Sequence, residues 1–106
     1  MYKQILVAID LSEEAHSLLE KGTELAKQYN AVLQVVHVMD WPLTGFDPMM
    51  GYSAVNDEGL MEEMANAVKR VAEKHGIMEE NTHTLMGQPT TTVVHLVDEL
   101  KVDLLI

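Results

Sequence analysis

Asp10 is the side chain whose place in the sequence points most directly to chemistry. It closes the short apolar run QILVAID, which indicates a strand buried on both faces. A carboxylate at the end of such a strand can accept hydrogen bonds from ribose hydroxyls or hold a cation. It can equally cap the helix that follows, beside Ser12. Both roles stay open for Asp10.

Two further candidate stretches end apolar runs. Val38 and Met39 close AVLQVVHVM, where a backbone can bind a purine edge while apolar side chains cover the ring, although core packing explains a valine equally well. The segment 87–89, Gly-Gln-Pro, closes the third run. Glycine lets a backbone approach a ligand closely, and it also suits any turn from strand to helix.

The sequence gives little support for a metal site, a glycine-rich phosphate-binding motif or a hydrolase site. The five His show no paired zinc spacing, and the absence of Cys excludes thiolate and disulfide chemistry, so we expect no metal site. Neither G-x-x-x-x-G-K-[ST] nor G-x-G-x-x-G occurs. Ser12 and Ser17 lie near His16 but lack the strained elbow and third residue of a hydrolase. We therefore predict no catalytic residue.

The negative net charge of the sequence disfavours polyanionic binding partners. Seventeen Asp and Glu against seven Lys and Arg give the 106 residues a net charge of -10, which opposes binding to nucleic acid or to an anionic membrane. The start, MYKQILVAID, has no apolar run long enough for a signal core, so we expect a cytoplasmic protein. The length predicts one domain over residues 1–106.

Periodicity predicts the elements that would position these residues. Short β-branched runs indicate strands, and apolar stripes of helical spacing indicate amphipathic helices. The predicted order is strand 4–10, helix 11–30, strand 31–38, loop 39–57, helix 57–76, strand 82–87, helix 90–101 and strand 102–106. This alternation predicts a three-layer α/β/α fold, a parallel sheet with helices on both faces. Ligands of such sheets bind beyond the carboxyl ends of the strands.

Four residues mark the predicted helix boundaries and packing. Ser12 and Asp57 suit N-caps, and Gly76 suits a left-handed residue at a helix end. Gly22, inside the first helix, either lowers helix propensity or lets a neighbouring element approach closely.

The long loop 39–57 holds the only Trp and the only Phe of the sequence. It includes Trp41, Phe46 and Tyr52, which an unstructured linker would rarely concentrate. We interpret it as a lid or a contact surface, with a satellite cluster that packs onto its own domain as the equal alternative.

Three stretches taken in order, YKQILVAIDLSEEA, AVLQVVHVMD and GQPTTTVVHLVDELKVDLLI, resemble the universal stress protein family. The resemblance implies a Rossmann-like parallel fold of strand order 3-2-1-4-5, a homodimer, and an adenine nucleotide held between strands one and four. Here it implies the order 3-2-1-4, with the fifth strand and the glycine-rich phosphate motif expected after Ile106. We therefore expect the domain to be incomplete at its C-terminus.

The resemblance also assigns residues to the nucleotide site. By position, Asp10 is similar to the family's acid near the nucleotide, with Ala8 and Ile9 along the same edge. Val38, followed by Met39, resembles the residue whose backbone meets adenine. Gly87 and Pro89 resemble the turn on the far side of the base.

The leading functional interpretation is a stress-response regulatory module that binds ATP or AMP, with Mg²⁺ as an accompanying ion. One alternative is a member of the same family that binds no nucleotide and acts as a dimeric interaction protein through the loop 41–52. Another is a slow ATPase, for which the sequence offers no base or nucleophile.

Overall fold

The computed structural model describes residues 2–39, 46–47, 51–52 and 57–106, and its elements follow the predicted alternation. The strands are β1 (Gln4–Ala8), β2 (Val32–Met39), β3 (Phe46–Asp47), β4 (Gly51–Tyr52), β5 (Thr82–Met86) and β6 (Leu104–Leu105). The helices are α1 (Glu14–Tyr29), α2 (Asp57–Glu73) and α3 (Pro89–Leu100), with a 3₁₀ turn at Glu79–Asn81 before β5.

The main sheet is parallel and has the order β5-β2-β1-β6, which confirms the predicted order 3-2-1-4. β1 pairs with β2 from Gln4 opposite Val32 to Ala8 opposite Val36. On its other side β1 pairs with β6, and the ladder continues to Ile106, whose N–H donates to the Leu6 carbonyl at 2.9 Å. The stretch VDLLI thus lies beside β1, at the point where the strand order reverses.

Side chains of β1 alternate between two apolar layers, as a strand buried on both faces requires. Ile5 and Val7 pack with apolar residues of α1 and α2, whereas Leu6 packs with α3. All three side chains are fully buried. Two helices therefore cover one face of the sheet and one helix covers the other, and the predicted three-layer Rossmann-like fold is confirmed.

The predicted loop contains a short antiparallel pair, with Phe46 opposite Tyr52 and Asp47 opposite Gly51. Residues 40–45, 48–50 and 53–56 lie outside the described part of the chain. The interpretation of this loop as a lid, a contact surface or a satellite cluster stays a prediction. Within the described ranges, none of the helices combines the length and the apolar character needed to span a bilayer.

Candidate functional site

The carboxyl edge of the sheet forms a groove of about 270 Å³ that gathers most of the predicted site residues. Its walls are Ala8, Ile9, Asp10, Val36, His37, Val38, Pro89 and Val93. The ends of β1 and β2 and the start of α3 meet there because parallel strands present their carboxyl ends at one edge. Sequence reasoning had not assigned Val36, His37 or Val93 to the site.

Gly87 and Met39 lie at the same edge but bind each other. The Gly87 N–H donates to the Met39 carbonyl at 2.9 Å and so extends the pairing of β5 with β2. Gly87 has φ 151°, a backbone angle that side chains disfavour, which gives a local reason for glycine there. Neither residue is among the lining residues of the groove.

Asp10 is exposed and is held by Ser12. The Ser12 hydroxyl and amide N–H both donate to Oδ1 of Asp10, at 2.5 and 3.1 Å. These two bonds hold the pKa of Asp10 below its ordinary value, and the bond from the hydroxyl has the larger effect. The charge of His37 adds a smaller effect in the same direction. Oδ2 takes part in neither bond, so it can accept from a ligand hydroxyl.

The prediction that Ser12 caps α1 is wrong. Glu13 occupies the N-cap position and its side chain makes no capping bond. The Ser12 hydroxyl instead donates to the carboxylate two residues earlier, which is a charge-assisted bond and stronger than a neutral cap. The same bond occupies the hydroxyl that a hydrolase would need as its nucleophile.

Val38 directs its backbone into the groove. Successive strand residues point their N–H and C=O groups to opposite neighbours. The Val36 carbonyl accepts from Ile9 on the β1 side, and the Met39 carbonyl accepts from Gly87 on the β5 side. The Val38 N–H and C=O therefore point toward β1, beyond the last β1–β2 pair.

His37 lines the groove and is half-buried. Its Nδ1 lies 2.9 Å from the carbonyl oxygen of Ile9. A carbonyl oxygen can only accept, so Nδ1 carries the proton of this bond. The sequence did not point to this role of His37, because a contact between residues 28 positions apart gives no local signal.

The other described histidine contacts lie away from the groove. His16 Nδ1 and His75 Nε2 are 3.1 Å apart, and His83 Nε2 is 2.8 Å from Gln34 Oε1. Burial lowers the pKa of His83, and nearby Glu99 opposes that shift. Across the described ranges, no three His, Asp or Glu side chains come together as a metal site requires.

Comparison with known proteins agrees on one family. A model of the universal stress protein family matches residues 1–106. The chain is 32% identical over 107 residues to universal stress protein A homolog 1 of Coxiella burnetii, covering 99% of this chain and 74% of that protein. It is 31% identical over 109 residues to universal stress protein A of Yersinia pestis, covering 99% and 72%.

Solved structures show the same fold. A universal stress protein family member from Burkholderia pseudomallei matches with a TM-score of 0.74 at 23% identity, covering 98% of this chain and 79% of that one. A universal stress protein in complex with cAMP matches with a TM-score of 0.69 at 18% identity, covering 98% and 70%. At these identities the likeness establishes the architecture alone.

Proposed function

The chain belongs to the universal stress protein family, and we propose that it acts there as a regulatory module that binds an adenine nucleotide in the carboxyl-edge groove. The observation that supports the proposal is that the Val38 backbone and the Asp10 carboxylate line the same groove. The first can bind the edge of a base, and the second can bind a ribose hydroxyl.

The groove supports a flat apolar ring. Its walls include the side chains of Ala8, Val36, Val93 and Pro89, so both polar features stand within an otherwise apolar surface. At about 270 Å³ it falls just below the ~300–1,000 Å³ of pockets that enclose a whole drug-sized ligand. We infer that it accommodates the base and part of the ribose, while the phosphates extend beyond it.

The structural neighbour in complex with cAMP supports an adenine ligand, because cAMP carries an adenine base. We propose ATP or AMP for this chain. Asp10 is the one carboxylate among the groove residues, so Mg²⁺ would be held mainly by the phosphates and water. The family resemblance supports the further proposals of a homodimer and a cytoplasmic location, and the charge of -10 disfavours nucleic acid as a partner.

Isothermal titration of the intact protein with AMP and with ATP tests this function. We expect saturable binding, and about a tenfold loss of affinity in Asp10→Ala, because a hydrogen bond to a charged acceptor is lost. Asp98→Ala is the matched control, since it makes the same charge change at an exposed position on α3.

Unchanged affinity in Asp10→Ala would remove Asp10 from the site. Absence of saturable binding by the wild-type protein would overturn the proposal and favour the alternative, an interaction protein without nucleotide. Phosphate release during the same incubation would distinguish a slow ATPase from a binding module.

A further inference from the structure

The parallel ladder between β1 and β2 ends one bond early at the groove. In such a ladder a residue donates to the residue before its partner and accepts from the residue after it. Ile9 continues the register opposite His37, and its N–H donates to the Val36 carbonyl at 2.9 Å as expected. The next bond would run from the Val38 N–H to the Ile9 carbonyl. No such backbone bond occurs between these two described residues.

The Ile9 carbonyl is satisfied by a side chain instead. His37 Nδ1 lies 2.9 Å from it, in the place of the backbone donor of Val38. Ile9 is only 5% exposed, and a carbonyl in such a position needs a partner. Both the neutral ring with its proton on Nδ1 and the protonated ring can donate this bond, so the contact does not depend on the charge of His37.

The backbone groups of Val38 determine which base edge the groove can recognise. With the Ile9 carbonyl occupied, the Val38 N–H and C=O remain as an adjacent donor and acceptor that face the groove. An adenine edge offers a ring-nitrogen acceptor beside its N6 amino donor, which complements this pair. Guanine presents the O6 acceptor in place of that amino group, so the Val38 carbonyl would face another acceptor.

We propose that His37 is a positioning residue of the nucleotide site: it occupies the Ile9 carbonyl and thereby keeps the Val38 N–H open for an adenine edge. This inference rests on the proposed function and adds to it a residue that acts through its neighbours. Without the imidazole donor, the Val38 N–H closes onto Ile9, and the β1–β2 ladder extends into the base site.

Three variants of the intact protein separate this role from simple packing. In His37→Asn the side-chain amide can donate from about the place of Nδ1. In His37→Gln the amide lies farther from the backbone, and in His37→Leu the donor is lost at similar volume. His95→Leu, at an exposed position on α3, is the matched control for loss of a histidine.

The first measurement is amide hydrogen exchange at Val38 without nucleotide, which does not require any ligand to bind. We expect fast exchange in wild type and His37→Asn, and about tenfold slower exchange in His37→Leu, because the Val38 N–H gains a backbone partner. Equal exchange rates in wild type and His37→Leu would overturn the inference.

The second measurement is the affinity for AMP. We expect His37→Leu and His37→Gln to bind about three- to tenfold more weakly than wild type, and His37→Asn to bind like wild type. Equal affinities in the Asn and Leu variants would overturn the inference. If wild type bound no AMP, the proposed function would fail, while Val38 exchange would still decide whether His37 keeps that N–H open.

Discussion

Gly22 of α1 and Val7 of β1 pack so closely that a methyl group does not fit between them. A Cβ added to Gly22 would lie 2.8 Å from Cγ2 of Val7 and 3.2 Å from Cδ1 of Leu33. Val7 is fully buried and its β-branched side chain is stiff, so it cannot rotate away. Of the two roles that the sequence allowed for Gly22, close approach of a neighbouring element is the one observed.

We predict that Gly22→Ala destabilises the protein although alanine favours helix. The gain in helix propensity is about 1 kcal/mol. Overpacking of a dense core costs about 1–3 kcal/mol, so we expect a net loss of about 1 kcal/mol. Urea denaturation measures the change in the free energy of unfolding.

Ser17→Ala provides the control, because Ser17 is exposed on the same helix and the change introduces alanine away from the core. We expect it to be neutral or slightly stabilising. In a Val7→Ala background the added methyl of Gly22→Ala should be tolerated, and a penalty that persists there would contradict the proposed clash.

The order of the elements and the sheet topology were predictable because they depend on short-range periodicity and on the handedness of crossovers. Apolar side chains run almost without interruption along β1 and β2, which marks both strands as buried on both faces. The failure of Ser12 to cap α1 was not predictable, because Asp10 takes the hydroxyl that the cap would use. The deciding contact is a side-chain bond, which the spacing of residue types does not reveal.

The sequence was enough to predict which residues lie at the carboxyl edge of the sheet, but not which of them contact each other. Asp10 and Val38 reach one groove because parallel strands end at the same side of the sheet. That Met39 binds Gly87 while Val38 faces the groove depends on the register between strands. The bond between His37 and Ile9 depends on the register between β1 and β2, and no local pattern encodes it.

Gly76 has the left-handed conformation that the sequence predicted, in the turn that follows the end of α2 at Glu73. Its φ is +76°, and the Ile77 N–H that follows donates back to the Ala72 carbonyl at 3.0 Å. Among the described residues, nothing lies within 4 Å of an added Cβ, so a substitution there meets backbone strain alone. We expect Gly76→Ala to lower the free energy of unfolding by about 1 kcal/mol.

Gly76→Asn should be less destabilising than Gly76→Ala, because asparagine tolerates the left-handed region. The protein uses this property at Asn30, which ends α1 with φ 54°. Thermal denaturation of both variants measures the difference. Equal melting temperatures for Gly76→Ala and wild type would show that the backbone relaxes without cost.

Asp103 joins the amino ends of β1 and β6. Its Oδ2 accepts from the backbone N–H groups of Lys3 and Gln4 at 2.8 and 2.9 Å. These two hydrogen bonds hold the pKa of Asp103 below its ordinary value of 3.8, and the bond from Gln4 has the larger effect. The Asp103 carboxylate therefore binds a proton more weakly in the folded state than in the unfolded state. Its contribution to the stability of the fold is complete above pH 3.8 and is lost as the pH falls through the lowered pKa.

We therefore predict that Asp103→Asn lowers stability at pH 7 and makes stability less dependent on pH below pH 3.8. Urea denaturation at a series of pH values measures both effects. Asp98→Asn, at an exposed position on α3, is the matched control for the loss of one carboxylate. An unaltered acid dependence in Asp103→Asn would show that the two backbone bonds contribute nothing to stability.

The central place of β1 has a consequence for the newly made chain. β1 can pair with β2 once residue 39 has been synthesised, but its partner on the other side is completed only with residues 103–106. In that interval β1, whose residues Ile5, Leu6 and Val7 are fully buried in the folded protein, has one bare edge, and such edges readily pair with other chains. A ribosome that pauses between these two points would therefore prolong the exposure of an aggregation-prone intermediate.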